Sequence, residues 1–111
     1  MVTRKVLKMK FLSLEPPRIV PFSFGSDTVD EGAHAQIMCS VSHGDEPITI
    51  TWSLKGDSIN SEPSMSTTMI GSRASVLVIS SVGYRHSGDY ICNAKNKAGL
   101  ASYSTELKVN G

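Results

Sequence analysis

Two cysteines and the single tryptophan constrain the fold of this 111-residue chain more than any other feature. From His34 to Val41, Ala35, Ile37, Cys39 and Val41 alternate with Gln36, Met38 and Ser40, so the first set shares one face of a strand. Ile48, Ile50, Trp52 and Leu54 alternate in the same way with Thr49, Thr51 and Ser53, and Gly88 to Lys95 carries Tyr90, Cys92 and Ala94 in one phase. Cys39, Trp52 and Cys92 therefore point inward from three different strands. Between two sheets packed about 10 Å apart, a bridge from Cys39 to Cys92 crosses the middle with the indole beside it. The competing reading is a pair of unrelated buried thiols, kept reduced inside a cell. Spacing and phase favour the bridge. In the chain-entropy picture a bond closing so long a loop contributes about 4 kcal/mol, and it requires an oxidising compartment, hence a secreted or surface-exposed protein.

The rest of the sequence from Pro16 onward reads as short strands separated by turn residues, with no 3.6-residue apolar period sustained over three turns. Ser75 to Ser81 turns Leu77 and Ile79 inward. Ser61 to Ile70 forms a threonine- and methionine-bearing strand whose register the pattern does not fix, and Leu100 to Val109 is the last strand. Lys55-Gly56-Asp57 supplies a turn. Asn96 to Gly99 supplies a hairpin whose glycine is expected at positive φ, and Gly44 and Gly71 also read as turn formers. The expected fold is an all-β, two-sheet antiparallel sandwich occupying residues 16–111. Residues 1–15 hold Arg4, Lys5, Lys8 and Lys10 against Glu15 and never run beyond two consecutive apolar residues, which is too short for a secretory signal. Val6, Met9 and Leu12 have near-helical spacing, but Pro16-Pro17 ends any helix there, and the segment reads as an appended extension or linker.

Composition excludes several function classes. Eleven basic residues against ten acidic ones give a net charge of +1, with no field to gather nucleic acid or anionic lipid. No stretch approaches the roughly 20 apolar residues that span a bilayer, so any membrane anchor lies outside this segment. Ser87, His86 and Asp89 are adjacent in sequence, but adjacency does not place a hydroxyl on an imidazole backed by a carboxylate, and a hydrophilic turn explains them better. His34, His43 and His86 are dispersed and the cysteines are committed, which leaves zinc without ligands; Asp45-Glu46 alone is too small a cluster for calcium. No glycine-rich strand-to-helix loop cradles a phosphate. The sequence therefore implies no catalysis, cofactor, metal or small-molecule substrate.

Tyr90 lies in phase with Cys92, so its ring enters the core while its hydroxyl needs an acceptor, best supplied by the preceding turn. Leu77, Ile79, Val82, Gly88, Tyr90, Cys92, Ala94, Asn96 and Gly99 fit LxIxxVxxxxxGxYxCxAxNxxG, which together with Cys39 and Trp52 resembles an intermediate-set immunoglobulin domain over residues 17–109. That family usually carries an acid two residues before Gly88, where this chain has His86. A buried Arg-to-Asp clasp at the base is thereby put in doubt, and His86 is expected to cap the turn.

More narrowly, PPRIVPFSFG, Asp30 to Gly32, HGDEPITITW and STELKVNG resemble the variable immunoglobulin domains of the arthropod Down syndrome cell adhesion molecule family. The resemblance implies a cell-surface module in which alternative versions of a domain bind identical copies of themselves in neuronal self-recognition, here antiparallel through the sheet of strands A, B, E and D. Residue chemistry points to the same sheet. The outward residues Gln36, Met38 and Ser40 on the Cys39 strand, and Val76, Val78 and Ser80 on the Leu77 strand, include several apolar side chains. Thr49, Thr51, Ser53, Asn93 and Lys95 on the other sheet leave Ile91 as its apolar exception. Gln36, Met38, Val76 and Val78 are thus the candidate partner-binding residues, with Met65 and Met69 expected to extend the surface. The alternative is a spacer domain, or a receptor domain reading a different ligand through the polar turns Ser42 to Pro47 and Asn96 to Gly99.

Overall fold

The computed structural model describes residues 14–25, 28–59 and 62–111, so most of the basic extension lies outside the described residues. The elements are β1 (Arg18–Ile19), β2 (Val29–Asp30), β3 (Ala35–His43), β4 (Thr49–Leu54), β5 (Asp57–Ser58), β6 (Met65–Ile70), β7 (Ala74–Ile79), a 3-10 turn (Tyr84–His86), β8 (Gly88–Asn96), β9 (Gly99–Leu107) and β10 (Val109–Asn110). One four-stranded sheet has the order β1-β3-β7-β6 and the other β5-β4-β8-β9, with β2 and β10 forming a separate parallel pair. The β1-β3-β7-β6 sheet consists of strands A, B, E and D in the lettering used above. The two sheets face one another as an all-β sandwich. Among the described residues, no helix is long and apolar enough to cross a membrane.

Alternation decides which residues fill the interior. Along β3, Ala35, Ile37, Cys39 and Val41 are buried while Gln36 and Met38 are exposed; along β8, Tyr90, Cys92 and Ala94 are buried. Between β4 and β5 the two central turn residues, Lys55 and Gly56, both have positive φ, 53° and 87°, which matches the right-handed twist of a two-residue hairpin. Gly99 corrects an expectation, because it is not among the positive-φ residues. Its small size matters instead, since a Cβ there would come within 3.1 Å of the Pro16 Cβ. The hairpin is shaped by Asn96, whose Oδ1 accepts hydrogen bonds from the Ala98 and Gly99 amides.

Cys39 and Cys92 are bonded, joining β3 of one sheet to β8 of the other across a Cα–Cα distance of 6.5 Å. Trp52, Tyr90, Leu77 and Ile79 are all buried in the cluster around that bond. The indole N–H of Trp52 donates to Ser75 Oγ at 2.9 Å, spanning from β4 to β7. Phe22 meets the Trp52 ring edge-on at 5.6 Å, and Phe24 meets Tyr90 in the same way at 5.3 Å, closing the core on the side of the N-terminal segment. Replacing both cysteines by alanine removes a constraint on a 53-residue separation and is expected to lower stability by about 4 kcal/mol. Denaturant unfolding of the oxidised chain and the double variant measures this, and a loss below about 1 kcal/mol would contradict it.

Candidate protein interaction face

The candidate face is built by cross-strand register. β3 pairs with β7 so that Gln36 lies opposite Val78, Met38 opposite Val76 and Ser40 opposite Ala74. β6 continues the rows, placing Ser66 against Val78, Thr68 against Val76 and Ile70 against Ala74. All of these side chains share the phase that points away from the disulfide. Val20 joins the surface beside Ser40, whose carbonyl accepts the Val20 amide at 2.9 Å. Met38 is 48% exposed and Ile70 54%, whereas Val76 and Val78, on an inner strand, are half-buried between their neighbours. None of these side chains is charged. At the margin, His34 Nε2 lies 3.3 Å from Gln36 Oε1.

Met65 does not belong to this surface, contrary to the sequence expectation. It lies opposite Ile79, an inward residue, and is buried in the core. Met69 shares that inward phase but sits toward the end of an edge strand and remains exposed. The residue that the sequence reading missed is Ile70, which takes the outward phase.

The outer face of the second sheet has a different character. Its rows run Thr49, Lys95, Leu100; Thr51, Asn93, Ser102; and Ser53, Ile91, Ser104, followed by Asp89 opposite Glu106. Ser102 donates a hydrogen bond to Asn93 Oδ1. Two carboxylates directly opposite one another are a repulsive pair in a sheet.

The two ends of the sandwich are tied down by polar networks. At one end, Asn96 Nδ2 donates to the carbonyls of Glu15 and Asp45, joining the β8–β9 hairpin to the β3–β4 loop. Arg73 donates to the Val41 and Gly44 carbonyls and pairs with Glu46 at 3.2 Å, while Asp45 Oδ2 accepts the Glu15 amide. Both carboxylates of the Asp45-Glu46 pair are therefore engaged within the chain. At the other end, Tyr90 donates its hydroxyl to the His86 carbonyl at 2.7 Å, and burial pushes its ionisation well above the usual range, keeping the donor proton in place.

His86 caps the turn as expected. Its Nδ1 accepts the Gly83 amide at 2.8 Å, so the ring proton resides on Nε2, which reaches Ser64 Oγ at 2.8 Å; Ser64 in turn donates to Glu62 Oε1 at 2.6 Å. The hydroxyl partner of His86 is thus Ser64 rather than Ser87, and Asp89 lies on the outer face of the other sheet. The order of groups is imidazole, hydroxyl, carboxylate. A nucleophilic triad needs the imidazole in the middle, accepting the hydroxyl proton, and here that proton goes to Glu62.

Residues 16–96 match the immunoglobulin domain family. The chain belongs to that family. It is 42% identical over 96 residues to cell adhesion molecule Dscam1 of Drosophila melanogaster, covering 86% of this chain and 5% of that protein. It is 40% identical over 94 residues to human cell adhesion molecule DSCAML1, covering 85% of this chain and 4% of that protein. Among solved structures, the seventh immunoglobulin domain of Dscam1, isoform 5, superimposes with a TM-score of 0.82 at 45% identity, covering 86% of this chain and 97% of that one. The N-terminal eight immunoglobulin domains of DSCAM isoform 1.30.30 match at a TM-score of 0.81 and 38% identity, over 86% of this chain and 12% of that one. The chain therefore spans a small fraction of the full-length relatives.

Desolvation of the buried ring, reinforced by the Arg85 charge, holds the His86 imidazole below its ordinary value of 6.5. A folded-state value below the unfolded one means that the unfolded chain takes up the proton first. The stability due to neutral His86 is accordingly complete above pH 6.5 and declines as pH falls toward the folded value. Glu62, also held below its ordinary 4.5 by its Ser64 hydrogen bonds, adds to the loss only in more acidic solution. As pH falls below 6.5 the intact chain is expected to lose stability relative to His86→Gln, whose amide can accept the Gly83 bond without titrating, at no more than about 1.4 kcal/mol per pH unit. Parallel pH profiles for the two proteins refute this assignment. A second check is Tyr90→Phe, which leaves the buried His86 carbonyl without its donor and is expected to cost about 1–3 kcal/mol in chemical unfolding.

Proposed function

We propose that this chain is a recognition domain of an extracellular, membrane-anchored cell adhesion protein. It binds an identical copy of itself through the outer face of the β1-β3-β7-β6 sheet, with the two copies antiparallel. The anchor lies outside this segment. The observation that carries the reading is the uncharged block formed by Met38 against Val76 and Gln36 against Val78, continued by Thr68, Ser66 and Ile70. A two-fold contact brings each residue near the axis onto its own twin, so a charge there repels itself, whereas an apolar or hydrogen-bonding side chain does not. The second sheet, with Asp89 opposite Glu106, meets that requirement poorly. Relatives with 40–42% identity that carry the name of cell adhesion molecules support the adhesive setting.

Met38 and the two valines supply apolar contact in this reading, and Gln36 contributes hydrogen bonds that a differently substituted copy fails to match. That combination gives isoform-specific self-recognition, of the kind neurons use to tell their own branches from others. A contact of one small face is weak alone and gains strength when neighbouring domains engage together.

Sedimentation of the 111-residue chain over a concentration series is expected to show self-association that Val76→Lys/Val78→Lys weakens at least about tenfold, because like charges are forced together at the contact. Mixing with a related variant of different face composition is expected to yield no mixed dimer. Unchanged association in the lysine variant removes the face from consideration. Efficient mixed association favours the alternative, a domain that reads a different ligand.

A further inference from the structure

Of the strand edges on this sandwich, β6 stands apart. β1 is broken by a register irregularity between Arg18 and Ile19 and flanked by Pro16, Pro17 and Pro21. β5 has two residues, one of them Asp57. β9 is lined by the N-terminal segment, with Pro16 against Gly99 and Phe22 against Tyr103 at 5.0 Å. Proline, charge, irregularity and cover are the usual devices that stop a sheet edge from pairing with another chain. β6 is six residues, Met-Ser-Thr-Thr-Met-Ile, with no charge and no proline.

The direction of its main-chain groups follows from two bonds. The Val41 amide donates to the Arg73 carbonyl, so the odd-numbered residues of β7 turn their polar groups toward β3. Ala74, Val76 and Val78 therefore bond β6, and their partners there are Ile70, Thr68 and Ser66. Thr67 and Met69 must point their N–H and C=O away from the sheet. Met65 has the same parity, and its amide turns off to the Glu62 carbonyl. Among the described residues, no group bonds the outward N–H and C=O of Thr67 and Met69.

From this we infer that β6 is a second self-association site, at which β6 of another copy pairs antiparallel about a two-fold axis through Thr68, extending the β1-β3-β7-β6 sheet into the second molecule. The register is self-complementary. Thr67 exchanges both of its bonds with Met69 of the second copy, and Met69 does so with Thr67, giving four main-chain hydrogen bonds. On the outer face Thr68 meets its own twin and Ile70 meets Ser66, so like charges never oppose one another. The contact depends on main-chain groups at the edge and not on the face formed by Met38 and Val76, so each stands or falls alone.

Amide hydrogen exchange of the 111-residue chain tests the site. At Thr67 and Met69, exchange is expected to slow roughly tenfold or more between dilute and millimolar protein as edge pairing develops. Met69→Lys, which places a charge on the edge and leaves Met65 in the core, is expected to abolish the slowing. Thr67→Pro removes an outward donor but no bond to β7, and is expected to do the same; if it fails to fold, the lysine variant decides. Val76→Lys/Val78→Lys is expected to retain the slowing. Exchange independent of concentration overturns the proposal, as does slowing that survives Met69→Lys. Slowing that disappears in the Val76/Val78 variant also overturns it, by assigning the protection to the face.

Discussion

Two links between the sheets determine everything else in this sandwich. The Cys39–Cys92 bond joins β3 to β8, and the Trp52–Ser75 hydrogen bond joins β4 to β7. Their members are cross-strand neighbours, Cys39 opposite Ser75 in one sheet and Trp52 opposite Cys92 in the other. One covalent and one polar connection thus act at the same level of the core. Because side chains alternate with a period of two, fixing one inward residue on each of these four strands fixes all of their outward residues as well. The exposure of Gln36, Met38, Val76 and Val78 is therefore a consequence of where the sulfurs and the indole sit. A slip of one residue in β7 would bring Val76 and Val78 inside and expel Leu77 and Ile79, a net loss of about 1.6 kcal/mol of apolar burial, and would take Ser75 away from the Trp52 indole.

The base of the sandwich shows how a polar cluster can be structural without being reactive. Tyr90 bonds the main-chain carbonyl of His86, while the His86 ring bonds the Gly83 amide and Ser64. The turn is therefore held from both the main chain and the side chain of one residue. Glu62 accepts from Ser64 and not from the imidazole, which leaves the hydroxyl with its proton directed to an acid that does not need it. An acid at position 86 would lack a ring nitrogen to accept the Gly83 amide at this geometry and donate to Ser64 at once. The His86 departure from the family pattern is thus matched by Ser64 and Glu62, which supply its other partners.

Much of this was legible in the sequence, and the failures have physical causes. β3, β4 and β8 alternate between strongly apolar and polar residues, so their phase, and with it the meeting of Cys39, Trp52 and Cys92, follows directly from the pattern. β6 gave no such contrast. Threonine, serine and methionine are tolerated on either side of a sheet, and only pairing with β7 shows that Met65 enters the core and Ile70 leaves it. Ser75 looked like an ordinary polar residue at the start of a strand; its role as the partner of Trp52 depends on a contact across the core that no local pattern encodes. The turn around Gly99 suggests a conformational glycine, but its constraint is steric, set by Pro16 more than eighty positions earlier in the chain. Ser64 and Glu62 could not be tied to His86 for the same reason, since the connection runs between segments over twenty residues apart.

The two proposed contacts have different geometric outcomes. A face contact stacks one sandwich on another and, being two-fold, closes after two copies; an edge contact extends one sheet and also closes after two. Two different two-fold contacts on one molecule do not close together. They generate an open row in which face and edge alternate. Free in dilute solution, such a row is limited by the weakness of each step. Between two apposed surfaces the balance changes, because anchored copies that face one another experience a high effective concentration of their partners. Both contacts reverse the strand direction from one copy to the next, so each suits copies presented from opposite sides rather than side by side. An uncharged β6 is an aggregation hazard in an isolated domain, and pairing with a second copy would remove that hazard by satisfying its outward main-chain groups.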